Sequence, residues 1–223
     1  MKEIFYLGLI FSVSGSFLST KKALINKSNK AMYEVLKKGR LHNLSVKGQY
    51  DLFDKIVKPI LLYGCEIWGF SNIELLERVQ LKFCKLLLNL KKSTPNCMVY
   101  GELGVYPLSV SVKVRMVNFG SKLVNGKESK LSNTSTLYRY IYCQNMRNGF
   151  QSTCLNFVKN VLDNSGLNSI WLSQGNINSK WLSENLKRNL KINLFKNGDL
   201  TWKILQKVSV IDCSKRILNS KRI

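Results

Sequence analysis

The sequence is poor in the residues on which most enzyme mechanisms depend. Its 223 residues include one histidine, His42, and only 13 acidic side chains. A Ser/His/Asp or Cys/His mechanism needs a histidine base in most variants. His42 lies in a polar connector with Arg40 and Asn43, the setting of a surface side chain. Metal-assisted phosphoryl transfer needs clustered carboxylates, and those here are scattered. Asp51, Asp54, Glu74 and Glu77 serve as helix-surface pairs or caps. Glu66, beside Cys65 and Trp68, and Glu102, between Gly101 and Leu103, stand in apolar or glycine-rich turns. A structural carboxylate bound by backbone amides is the expectation for both. No G-x-x-x-x-G-K-[ST] loop and no G-x-G-x-x-G string is present, so no nucleotide cradle is expected. The sequence offers no catalytic residue, no metal ligand set and no cofactor site.

Close cysteine pairs and long apolar runs are missing too. The six cysteines fall at 65, 84, 97, 143, 154 and 213, and no two share a C-x-x-C spacing. A structural zinc site draws four ligands, usually from close pairs. Cys65 and Cys84 lie in apolar stretches, where a reduced, buried thiol is the default. An intracellular, disulfide-free chain, nuclear or cytoplasmic, is the expectation. No run of 18 apolar residues exists, which excludes a simple spanning helix. The start, MKEIFYLGLIFSVSGSFLST, has two readings. It has the outline of a secretory signal peptide, weakened because Glu3 cancels Lys2. Alternatively, Ile4 to Val13 is a strand and Ser14-Gly15-Ser16 a turn.

What is abundant is positive charge. Lys and Arg number 35, for a formal net charge of +22. Self-repulsion of this size disfavours compaction, and a polyanion relieves it. Nucleic acid, held through salt-sensitive Lys and Arg contacts, is the partner this implies. A lysine- and asparagine-rich proteome would produce the same balance without any such partner. The 45% hydrophobic content is enough for a buried core.

Along the chain, helical periodicity dominates. Residues 19 to 39 read as a basic helix, with Ser19 or Thr20 as cap and Gly39 as terminator. Leu24, Ala31 and Val35 form its apolar face. Lys21, Lys22, Lys27, Lys30, Lys37 and Lys38 form the rest. A second helix spans about 48 to 63, on Tyr50, Phe53, Val57, Ile60 and Leu61. Asp51 with Lys55, and Asp54 with Lys58, are i,i+4 pairs, and Pro59 implies a kink. Ser71-Asn72-Ile73-Glu74 reads as a capping box. It opens a third helix with Leu76, Val79, Phe83, Leu86, Leu87 and Leu90 inward. Residues 91 to 106 read as a connector. Pro107 opens a fourth helix that buries Val110, Val114, Val117 and Leu123. The stretch 125 to 135 is polar and turn-rich, a linker. Beyond it, helices are expected at about 136 to 147, 152 to 164 and 179 to 196, with a packed loop around Gly166-Leu167 and Ile170-Trp171. The last helix carries Leu182, Leu186, Leu190 and Leu194 on one side, with Lys187, Arg188 and Lys191 beside them. The fold class is thus mainly α, a short strand or hairpin followed by two helical parts.

Several strings, taken together, resemble the region after the active site of non-LTR retrotransposon reverse transcriptases. They are FYLGLIF with GSF (Phe5 to Phe11, Gly15 to Phe17), LFDKIVKPILLYGCEIWGF (Leu52 to Phe70), ERVQLKFCKLLL (Glu77 to Leu88), TPNCMVYGELGVYPL (Thr94 to Leu108) and GLNSIWLSQG (Gly166 to Gly175). Their order and spacing are similar over about residues 4 to 200. The resemblance implies a palm strand within residues 1 to 18 rather than a signal peptide. It implies a thumb-like helical domain over 19 to 124; the residue pattern adds the linker at 125 to 135, a second helical domain over 136 to 205 and a basic tail from 206. A thumb grips the template–primer duplex through its backbone. The implied contacts are Lys21, Lys22, Lys27, Lys30, Lys187, Arg188 and Lys191, giving affinity without sequence readout. The implied partners are an RNA or DNA duplex and the palm of a parent polymerase, with no membrane. The family's aromatic-x-Asp-Asp turn has no counterpart here. The reading is a non-catalytic piece, truncated at both ends. The alternatives are an autonomous nucleic-acid-binding protein and, behind it, a secreted basic protein with an N-terminal signal peptide.

Overall fold

The computed structural model describes residues 3–125, 153–173 and 178–196. These are mainly helical, preceded by one two-stranded sheet.

The opening segment is a hairpin, but its turn lies inside the run read as one strand. Strand β1 (Glu3–Tyr6) pairs antiparallel with β2 (Leu9–Ser12), Phe5 opposite Ile10 and Tyr6 opposite Leu9. Leu7 and Gly8 have φ of 46° and 81°. A two-residue loop with both φ positive matches the twist of the strands it joins, which is why the chain reverses there. The Tyr63 hydroxyl donates to the Leu7 carbonyl at 2.8 Å. Strand β2 is tied to the next helix twice. The Ile10 amide donates to Thr20 Oγ1 at 2.9 Å, and that hydroxyl donates to the Ile10 carbonyl at 2.6 Å. Ser19 donates to Glu3 at 2.6 Å. Neither hydroxyl therefore caps helix α1 (Leu18–Leu41), whose N-cap is Phe17.

Helix α1 is the central element of the first compact unit, which among the described residues takes in those up to Tyr63, Glu74–Leu108 and 194 to 196. It runs through Gly39 rather than ending there. That glycine is buried against Gln49, whose side chain would lie 2.6 Å from an added Cβ. The terminator is Asn43, at φ 48°. The Leu44 amide bonds the Gly39 carbonyl at 2.9 Å and the Asn43 amide bonds Arg40 at 3.2 Å. This is the paired 6→1 and 5→2 ending of a Schellman motif.

Next come α2 (Val46–Leu52), a π turn over Phe53–Val57 and α3 (Lys58–Leu61), one rod in which the middle turn is widened. Pro59 has no amide to donate, and its ring crowds the carbonyl four residues back. The wider turn absorbs that conflict, with Lys58 bonding Phe53 across five residues. The Asp54–Lys58 pair forms at 2.6 Å.

Helix α5 (Glu74–Leu87) starts at Glu74, so Glu74 opens the helix instead of occupying the third position of a capping box. Asn72, at φ 46°, is left-handed and so lies outside the helix. Leu76, Val79 and Phe83 are buried as expected. Leu86 and Leu90 are not, at 37% and 39% exposed. Phe83 stacks on Phe53 with ring centroids 4.4 Å apart, and Tyr50 packs beside both. Each such ring contributes roughly 1.5–3 kcal/mol by leaving water. Met32, Val35 and Leu36 of α1 complete this core.

The stretch expected as a connector contains helix α6 (Asn96–Leu103). Gly104, at φ 63°, ends it in another Schellman pair, Val105 to Tyr100 at 3.1 Å and Gly104 to Gly101 at 3.2 Å.

The second unit is formed by Gly64–Ile73 and the described part of Ser109–Asn193. It holds the single turn α4 (Cys65–Trp68), nearly all of α7 (Leu108–Asn125), α8 (Thr153–Asn164), α9 (Asn168–Ser173) and α10 (Ser179–Lys196) up to Asn193. Val110, Val114 and Val117 are buried as expected, together with Trp68 and Met116. Gly69 is required for packing: an added Cβ would lie 2.4 Å from the Cys65 carbonyl oxygen and 2.5 Å from Val112. The loop expected around Gly166 is a Schellman ending to α8 followed by the short α9, with Leu167 and Trp171 buried. Asn189 of α10 donates to the Ser165 carbonyl at 2.8 Å. The linker expected at 125–135, beyond Asn125, lies outside the described residues, as do the helix at 136–147, everything from 197 and the basic tail.

Candidate nucleic-acid interface

Helix α1 presents a cationic ridge. Lys22, Lys27, Lys30, Lys37, Lys38 and Arg40 are all exposed. At about 100° per residue, Lys22, Lys30, Lys37 and Arg40 fall within an arc of about 80°, with Lys27 and Lys38 about 60° to 80° beyond one edge of it. Glu34 is the one acidic residue of the helix.

Lys21 is the exception among the expected contacts. It is 1% exposed. Its place at i, i+3, i+7 and i+11 with Leu24, Ser28 and Met32 puts it on the core face. Burial lowers its pKa from the ordinary lysine value, and the charge of Glu74 partly offsets this. Lys21 is a core residue here, not a surface contact. Reading every lysine of a basic helix as solvent-facing missed that the apolar stripe is completed by one of them.

On α10, Lys187 and Arg188 are exposed and Lys191 is half-buried. Glu184 lies three and four residues before the first two, close enough to offset part of their charge. This cluster is in the second unit.

The remaining candidates are placed as follows. His42 is exposed just past the end of α1. Glu66 faces Arg115 across 3.7 Å. Glu102 is exposed on α6 and not the buried carboxylate expected. Cys65 and Cys84 are free and buried, and burial above all pushes each thiol up to about 12. Among the described residues no three His, Cys, Asp or Glu side chains converge to hold a metal. No described helix is long and apolar enough to cross a membrane.

Two arrangements had little sequence signal. The first is polar and internal. Glu77 accepts from the Tyr100 hydroxyl at 2.6 Å and the Leu108 amide at 3.0 Å. Gln80, one turn on, donates to the Tyr50 hydroxyl at 2.9 Å and the Tyr106 carbonyl at 3.1 Å. These bonds tie α6 and the 106–108 segment to α5. Burial, then the Glu77 charge, raise the Tyr100 pKa. The second is Tyr33, 50% exposed on the basic face of α1, with Lys82 of α5 lying 5.1 Å from its ring centre. An aromatic residue three places from one lysine and four from another, on a helix's charged side, was the available clue.

No protein-family model, curated protein or solved structure matches the chain.

Proposed function

We propose that the chain is a non-catalytic nucleic-acid-gripping protein, with α1 as its main contact surface and the phosphate backbone as its ligand. The observation that carries this reading is the ridge of exposed Lys22, Lys27 and Lys30, continued by Lys37 and Arg40, in a chain of net charge +22. Lysines on a rigid rod act as point charges toward phosphates and read no bases. Lys187, Arg188 and Lys191 offer a weaker second surface. The resemblance of the YLG, YGCEIWGF and YGELG strings to non-LTR reverse transcriptases gives the reading its biological form. The helices correspond to a thumb that holds an RNA or DNA duplex, inside the cell, beside the palm of a polymerase. The sequence holds no adjacent aspartate pair, so polymerisation is not part of the proposal.

The test is a titration of the full chain against an RNA–DNA hybrid at several salt concentrations, alongside primer extension with Mg²⁺. Salt-dependent binding without extension is the expected result. Salt-independent binding, or none at low salt, overturns the reading, and robust extension overturns its non-catalytic part.

A further inference from the structure

We propose that a groove between the C-terminal half of α1 and the last turn of α5 is a nucleotide subsite, in which Tyr33 stacks on an unpaired base while Lys37 and Arg40 hold its flanking phosphates. This rests on the nucleic-acid reading above and assigns it a second mode, contact with a splayed base rather than with duplex backbone alone.

The groove has a volume of about 700 Å³ and is lined by Tyr33, Glu34, Leu36, Lys37, Arg40, Leu41 and Leu86. That is within the size range of small-molecule sites. Its walls are of two kinds. Leu41 and Leu86 are 73% and 37% exposed, so they present open apolar surface. Lys37 and Arg40 stand on the same arc of α1 as Lys22 and Lys30, so the cationic ridge leads directly into the groove. Lys30 is one helical turn before Tyr33 and Lys37 one turn after it. A phosphodiester following the ridge is therefore carried to the aromatic ring.

Tyr33 is suited to a planar partner. Half of its surface is open, and the ammonium of Lys82 stands over its ring. A cation over one face is attracted to the ring, and half of the residue's surface is still open to solvent. Base–aromatic stacking tolerates every base, because every base has a π face. Arg40 adds a guanidinium that both pairs with phosphate and stacks.

Charge complementarity selects this occupant over others. An apolar peptide would leave Lys37 and Arg40 without a counter-charge. A second copy would bring another +22 to the same surface. The one carboxylate at the groove is Glu34, three and four residues before Lys37 and Lys38 on α1. It opposes an incoming phosphate, which makes it a probe of the occupant's sign.

The experiment measures fluorescence anisotropy of a labelled single-stranded oligonucleotide and of an abasic strand of equal length. Both are titrated with the full chain and with Tyr33→Ala, Tyr33→Phe, Lys37→Ala and Glu34→Gln. Tyr33→Ala weakens the intact strand by roughly 5- to 100-fold and leaves the abasic strand unchanged. Tyr33→Phe, which keeps the ring, restores binding. Lys37→Ala weakens both strands equally, and Glu34→Gln tightens both. Wild-type affinity of Tyr33→Ala for the intact strand, with salt-dependent duplex binding preserved, overturns the subsite and leaves the general reading standing. Absence of any nucleic-acid binding by the wild type removes both. A wild-type dimer in sedimentation that Tyr33→Ala dissociates gives the groove to a second copy and overturns the proposal.

Discussion

The contrast between Lys21 and its neighbour Lys22 offers the sharpest test of how α1 works. The two are adjacent in sequence and identical in type, but one is 1% exposed and the other lies on the open ridge. Each phosphate contact on duplex DNA adds about 0.9 to the slope of log affinity against log salt. Over a fourfold salt change, such as 50 to 200 mM, one contact is worth roughly 3.5-fold in affinity and three together roughly 40-fold. Replacing Lys22, Lys27 and Lys30 together by alanine removes up to three contacts. The expected slope is shallower by about 2 to 3, and the fall in affinity between those salt concentrations is smaller by up to that factor. Lys21→Met should leave the slope unchanged. The pH dependence has a definite sign. Lys21 binds its proton less tightly folded than unfolded. The unfolded state then holds more protons as the pH approaches the ordinary lysine value of 10.5, so this residue's contribution becomes more favourable as pH rises, and Lys21→Met abolishes that component. The assays are anisotropy titrations of duplex at four salt concentrations and urea melts between pH 7 and 10. An equal loss of slope in Lys21→Met and Lys22→Ala would refute the division of α1 into core and contact lysines. An unchanged slope in the triple variant would refute the ridge itself.

Three further outcomes follow from the packing. Tyr100→Phe removes the 2.6 Å bond to Glu77, a hydrogen bond to a charged group, and should cost about 1.5–3 kcal/mol in thermal or urea unfolding; a melt identical to wild type would mean the carboxylate is satisfied without the phenol. Gly69→Ala drives a methyl to 2.4 Å from a backbone oxygen and should destabilise by about 1–3 kcal/mol, seen as faster proteolysis within the second unit, and unaltered resistance would contradict the close approach. Cys65 and Cys84, with thiols near 12, hold about one part in ten thousand as thiolate at pH 8. Both should resist a thiol reagent until urea unfolds the chain. Because each binds its proton more tightly folded than unfolded, their contribution is present below pH 9 and is lost as pH rises toward 12.

The sequence by itself determined the helical class, the position of α1, α7, α8 and α10 to within a few residues, and most of the buried apolar side chains. These follow from hydrophobic periodicity, which a local pattern encodes completely. It also placed the exposed lysines Lys22, Lys27 and Lys30, since a solvated charge needs only a face turned from the core. Tertiary structure alone decided what depends on a neighbour. Lys21 is buried because the core stripe of α1 passes through it. Leu86 is open because the last turn of α5 borders a groove rather than a core. Gly39 is helical because Gln49 packs on its missing side chain, and Asn43 takes over as terminator. The string at 71–74 is interrupted by a left-handed Asn72, and the helix begins only at Glu74. Glu77, read as a surface charge, becomes the anchor of Tyr100 and Leu108, residues 23 and 31 positions away. A partner that far along the chain leaves no mark in a local pattern, so the folded packing, and not the spacing of residues, assigns it.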